Sequence, residues 1–125
     1  TGLLVSMLEE GSQKDIIDGN LGIYKGAIFE NIIAEIFTKL GKKLYYFEYR
    51  NRLEMDFIIR YKGKATAIEV KSAENTKSKS MTNIIQIWKV EQGIKLSAKN
   101  ISGNEVVRNY PLYMAIFLSW QTLKI

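Results

Sequence analysis

Between Lys25 and Leu40 the apolar residues Ile28, Phe29, Ile32, Ile33, Ile36, Phe37 and Leu40 recur three and four positions apart, the stripe an α-helix lays against a core, and Gly41 supplies the stop. The pattern then changes. Leu44-Tyr45-Tyr46-Phe47-Glu48-Tyr49 is aromatic-rich and predicts a strand, and two more strand-like runs, Glu54 to Tyr61 and Ala65 to Lys71, meet at Lys62-Gly63 and predict a hairpin. Polar Ser72 to Ser80 reads as a loop, and Met81 to Glu91 as a second helix with Ile84, Ile85, Ile87 and Trp88 on its buried side and Gly93 at its end. Ile94 to Ser97 is a short strand. The continuous apolar run Leu112 to Leu118, behind Pro111, has the length of a strand buried on both faces. Tyr45, Tyr46, Phe47 and Tyr49 suggest base stacking, but strand alternation sends most of them into the core, where Trp88 and Trp120 are expected too. Helix, three strands, helix, strand, strand is the order of an α/β domain, a mixed central sheet flanked by helices.

The register of the hairpin follows from its turn. A two-residue connection at Lys62-Gly63 pairs Tyr61 with Lys64, so facing residues have numbers summing to 125 and Asp56 falls opposite Glu69. The other face then collects Met55, Phe57, Ile59, Thr66, Ile68 and Val70, and a slip of one residue would spoil that apolar set. Opposed carboxylates repel, so the pair asks for a reason. A divalent cation held by both is one, with Lys71 on the same face to orient a water or steady charge on a phosphoryl oxygen. A surface ladder in which Glu54 pairs with Lys71 is the other.

Composition narrows the chemistry. The chain has 125 residues, one domain's worth, with no cysteine and no histidine, which excludes zinc fingers, haem ligation, thiol nucleophiles and Ser-His-Asp triads. Its nine glycines form neither a Walker loop nor a dinucleotide fingerprint. The net charge of +5 is uneven: residues 1–38 carry two basic and six acidic side chains, a balance of −4, and residues 39–125 sixteen basic and seven acidic, a balance of +9. The basic part is where a nucleic-acid face is expected; the alternative, which charge alone favours, is a solvated lysine-rich surface. Lys77, Lys79 and Ser80, ahead of the second helix, are candidates to hold phosphates at its N-terminus, with a solvated loop as the reading their sequence favours, and Arg60 is a further candidate contact. No stretch reaches the ~20 apolar residues that span a bilayer, and the absence of cysteine suits a cytoplasmic protein. Residues 1–20 read as an apolar stub and a turn-rich connection, and a chain opening on Thr1 is expected to be a piece of a longer protein.

Asp56, then Glu69-Val70-Lys71 on the next strand, behind a helix carrying Glu30, resembles the PD-(D/E)XK nuclease core. More closely, Gly26-Ala27-Ile28-Phe29-Glu30-Asn31, Glu54-Met55-Asp56-Phe57, Ile68-Glu69-Val70-Lys71-Ser72 and Pro111-Leu112-Tyr113 resemble the nuclease-like C-terminal domain of a family of prokaryotic AAA-type ATPases, in which a P-loop ATPase domain and a winged-helix segment come first. The resemblance implies a restriction-endonuclease-like core over residues 21–125, Asp56 and Glu69 as ligands of Mg²⁺ (or Mn²⁺), Lys71 as catalytic lysine, Glu30 as an assisting helix acid, and DNA as substrate. The alternative it allows is a catalytically idle module that binds DNA or protein and regulates the ATPase. Two positions depart from the pattern: Met55 stands where the motif has proline, and Val90 follows Gln86 where RecB-like exonucleases carry tyrosine.

Overall fold

The computed structural model describes residues 25–50, 53–71 and 79–122, with isolated positions (6, 7, 11, 14, 17 and 18) ahead of them. Helix α1 (Lys25–Lys39) is followed by β1 (Tyr45–Tyr49), β2 (Leu53–Tyr61), β3 (Lys64–Val70), α2 (Lys79–Ile87), β4 (Gln92–Ser97), β5 (Ser102–Gly103), β6 (Val107–Pro111) and a 3₁₀ helix (Leu112–Thr122). The strands form one six-stranded sheet in the order β1-β2-β3-β4-β6-β5. β1, β2 and β3 are mutually antiparallel, β4 and β6 continue parallel to β3, and β5 closes the edge antiparallel to β6. This is the mixed α/β sheet expected from the element order.

α1 ends as its sequence demands: the Lys42 N–H donates to Phe37 O at 2.9 Å and the Gly41 N–H to Thr38 O at 3.0 Å, the paired bonds of a Schellman cap. The β2–β3 turn puts Lys62 at φ 51° and Gly63 at φ 76°, both left-handed, as a two-residue hairpin turn that matches strand twist requires. Tyr61–Lys64 through Phe57–Ile68 then pair in the 125 register.

The sheet is covered on both faces. Ile33 and Phe37 of α1, with Ala115 and Leu118 of the 3₁₀ helix, pack on Ile59, Tyr61, Ile68, Val70, Ile94 and Leu96. Met81 and Ile84 of α2 pack on Met55 and Ala67 across the other face. Among the described residues no helix is long and apolar enough to cross a membrane.

Four expectations are corrected. Met55 does not share a face with Phe57 and Ile59. Tyr45 faces Ile58 while Phe47 faces Met55, two steps along β1 against three along β2, so β2 carries an extra residue there. Such a bulge resets the alternation and turns Met55 toward α2. Second, Leu112 to Leu118 is helical rather than extended, the strand being the segment before it. Pro111 lacks the N–H that would continue a ladder, and Leu112, Ala115 and Leu118 lie three apart, the period at which a 3₁₀ helix presents one face. Third, α2 stops at Ile87, so Ile87 and Trp88 are exposed at its end instead of buried. Fourth, β1 is an edge strand, and Tyr45, Tyr46 and Tyr49 are exposed while Phe47 packs beneath α2. Trp88 meets the edges of Phe47 and Tyr49 at 5.4 and 5.1 Å between ring centroids.

Gly93, the second residue of β4, lies directly against Met81, where a Cβ would overlap the thioether. Gly93→Ala is therefore expected to lower stability by about 1–3 kcal/mol, the usual range for overpacking. Because the obstructing group is one flexible side chain, Met81→Ala should cost less in the Gly93→Ala background than alone. Denaturant melts of the four proteins would reveal the coupling, and strict additivity would refute it.

Candidate functional site

The carboxyl ends of β3, β4 and β6 and the start of β2 lie at one end of the sheet. The bulge falls there. It ends the β2–β3 ladder at Phe57–Ile68, so the expected next pair, Asp56 with Glu69, is not formed as a ladder pair. Instead the Val70 N–H donates to Asp56 Oδ2 at 2.6 Å, and the Asp56 carboxylate rests against the peptide joining Glu69 to Val70. The Asp56 side chain thus reaches the backbone of the residue that follows Glu69, in place of a ladder pair with Glu69 itself. The Lys71 N–H donates to Leu96 O at 2.8 Å and holds the end of β3 to β4.

Val70 belongs to the α1-side core, so Glu69 and Lys71 alternate to the face that carries Ala67 and α2. Glu69 is 8% exposed. Its Oε1 meets Lys71 Nζ at 3.0 Å, while its Oε2 is buried with no hydrogen-bond partner among the described residues. An orphaned buried carboxylate oxygen costs about 1–3 kcal/mol or more in desolvation, so it marks a place where a ligand would be welcome.

Lys95 is the Cα partner of Glu69 on β4, and Asn109 is the partner of Lys95 on β6, which makes a polar row across the same face. Burial lowers the pKa of Lys95; Glu69 opposes the shift, and Lys71 and Lys99 add to it. Beyond it the Ser97 hydroxyl donates to Asn109 Oδ1 at 2.8 Å and accepts the Lys99 N–H at 3.1 Å. Asn109 Nδ2 donates to the carbonyl of Asn100 at 3.1 Å. This network ties down the segment that carries Lys99.

The remaining candidates come from other elements. Glu30 is half-buried on α1, which packs on the opposite face, and among the described residues no three acidic side chains gather as a metal cage. Lys79 is the exposed first residue of α2, and Lys77 lies outside the described residues. Arg60 is exposed beside the hairpin turn, where its Nη1 donates to Gly63 O at 3.3 Å, four residues and roughly 13 Å of strand from Asp56. Sequence reasoning missed Lys95, Ser97 and Asn109. A signal existed: in Ile94-Lys95-Leu96-Ser97 the apolar residues alternate with polar ones, so a strand read as interior must carry a polar second face.

No curated protein and no solved structure matches the chain. A family model described as Domain of unknown function (DUF4143) matches residues 25–117, a span that holds α1, α2, β1 to β6 and the start of the 3₁₀ helix. Asp56, Glu69, Lys71 and Lys95 all fall within it, and the chain belongs to the Domain of unknown function (DUF4143) family.

Proposed function

We propose that the domain hydrolyses phosphodiester bonds of DNA with the help of Mg²⁺, for which Mn²⁺ can substitute, as the PD-(D/E)XK nuclease-like C-terminal part of an AAA-type ATPase. The observation that carries the reading is Glu69: a carboxylate nine-tenths buried at the sheet's carboxyl edge, one oxygen paired with Lys71 and the other without a partner, beside the carboxylate of Asp56.

The donor set fits the ion. Magnesium is commonly held by one or two carboxylates and keeps several waters, so Asp56 and Glu69 suffice without a third acid. When bound, the ion supplies positive charge to a phosphoryl oxygen and to a water. The chain does the rest. Asp56 and Glu69 hold the cation, the Val70 N–H fixes the Asp56 carboxylate, and Lys71 Nζ orients the attacking water and steadies negative charge on the phosphoryl group. Glu30, on the α1 side, is assigned an assisting role that the resemblance implies.

Cleavage of end-labelled duplex, junction and single-stranded DNA with Mg²⁺, Mn²⁺ or chelator is the direct test. Metal-dependent cleavage lost in Asp56→Asn is expected; no cleavage of any substrate, even by the protein carrying its full ATPase part, would leave the idle DNA- or protein-binding module as the better reading. Binding should also depend on salt. If three lysines neutralise phosphates, log K falls with log salt at a slope of about −2.7, and a fourfold rise in salt weakens binding about fortyfold. Affinity indifferent to salt would favour a protein partner.

A further inference from the structure

The rings that edge strand β1 leaves in solvent have no part in the hydrolytic site. Tyr45 is 60% exposed and Tyr49 39%, and Trp88, just past the end of α2, is 44% exposed. Trp88 is nevertheless held in place: Phe47 and Tyr49 lie at 5.4 and 5.1 Å between ring centroids, inclined to the indole by 66° and 62°. An indole gripped by two rings and still open to water loses little conformational freedom when a planar ligand stacks on it. Beside it the exposed Arg50 guanidinium lies over the Tyr49 ring, 5.1 Å from its centroid. The patch thus joins aromatic surface to a cation, the two contacts by which a single nucleic-acid strand is held.

Its position relates it to the acids. Phe47 packs beneath α2, and Tyr45 and Tyr49, two residues to either side, alternate to the same face, while Glu48 alternates to the other. Glu69 is on the α2 face as well. Tyr49 is the Cα partner of Leu53, which opens β2 three residues before Asp56. The rings therefore stand at the end of the sheet that carries Asp56 and Glu69, one strand spacing across and roughly 10 Å along β2 from Asp56. A base inside a duplex is stacked on both faces and has none to offer an indole, whereas an unpaired base does.

We propose that Trp88, set by Phe47 and Tyr49 and flanked by Arg50, is a stacking platform for an unpaired base of single-stranded DNA whose backbone runs on to the Asp56–Glu69 site. The inference rests on the phosphodiester reading above and supplies its substrate class, unpaired DNA rather than plain duplex. It also gives a role to the aromatic residues that β1 exposes as the edge of the sheet.

The test is fluorescence anisotropy, without metal, of a labelled oligothymidine strand and of a labelled duplex, using the intact chain as wild type, Trp88→Ala and Trp88→Phe, with cleavage assayed beside it. Trp88→Ala should bind the single strand about tenfold more weakly, with the salt slope unchanged because no phosphate contact is lost, and Trp88→Phe should recover most of the affinity. Duplex affinity should change by less than about twofold. Equal weakening on both forms of DNA, or none on the single strand, overturns the proposal. If Trp88→Ala does not fold, indole emission decides: in Trp120→Phe, where Trp88 is the remaining tryptophan, the strand should quench the emission, and emission unchanged at saturating strand counts against the platform. A wild type that is dimeric, and monomeric as Trp88→Ala, assigns the rings to a second copy of the chain and overturns the proposal too. Wild-type cleavage of duplex and single strand at equal rates, untouched in Trp88→Ala, removes this inference and leaves the nuclease reading standing. Strand binding that is weakened in Trp88→Ala, with a wild type that cleaves no DNA, keeps the platform and removes the nuclease reading. No binding of either form by the wild type removes both.

Discussion

Lys71→Ala is expected to reduce Mg²⁺-dependent cleavage by about 10²–10⁴-fold, the range for removing a positioned proton-handling or charge-stabilising group. The fold should survive, because the backbone N–H that ties this residue to Leu96 O is kept. Stability should fall only modestly, since Lys71 is partly exposed and water can replace it at Glu69 Oε1. Metal binding should move the other way. An ammonium 3.0 Å from a ligand oxygen competes with a cation for the same charge, so its removal should tighten Mn²⁺ binding while cleavage collapses. That opposition separates a catalytic lysine from a structural one: a lysine needed only to hold Glu69 in place would lose metal affinity and activity together. Cleavage at the wild-type rate in Lys71→Ala would move the chemistry elsewhere in the chain.

The part of the site that local rules govern was legible in the sequence. Lys62-Gly63 dictates a left-handed two-residue turn, the turn dictates the 125 register, and the pairs from Tyr61–Lys64 to Phe57–Ile68 follow. What escaped was non-local. The bulge at Asp56 and Phe57 arises from how β2 meets β1, a second partner whose register no turn rule supplies, and it alone turned Met55 over and released Asp56 to take the Val70 N–H. The exposure of Tyr45, Tyr46 and Tyr49 likewise depends on β1 being the edge of the sheet, which alternation within the strand does not reveal. Leu112 to Leu118 shows the limit of an uninterrupted apolar run: with no polar residue to mark a period, strand and helix look alike, and only the buried Ala115 and Leu118 disclose the spacing of three. Lys95 comes to lie beside Glu69 because β4 runs parallel to β3, a pairing made through the α2 crossover and so invisible to any reading confined to the hairpin.

A metal titration watched by thermal melting tests the site without a substrate. An ion that binds only the folded protein stabilises it by about 2.7 kcal/mol at a hundred times its dissociation constant. In a domain of this size that corresponds to roughly 10 °C in melting temperature. Mg²⁺ or Mn²⁺ should therefore raise the wild-type melt by about that much and leave Asp56→Asn nearly unmoved. Without metal the order should differ. Asparagine keeps an acceptor for the Val70 N–H and removes one of two neighbouring negative charges, so the metal-free Asp56→Asn should melt no lower than wild type. Glu69→Gln should behave otherwise, since it leaves Lys71 without its carboxylate and an amide in a place that is nine-tenths buried; a metal-free loss of about 1–3 kcal/mol is expected, with the metal response again abolished. Calcium, accepted by similar oxygen donors, should stabilise the wild type without supporting cleavage. Equal shifts in wild type and Asp56→Asn would show that Asp56 is not a ligand, and the orphaned oxygen of Glu69 would then have to be answered by something other than a cation.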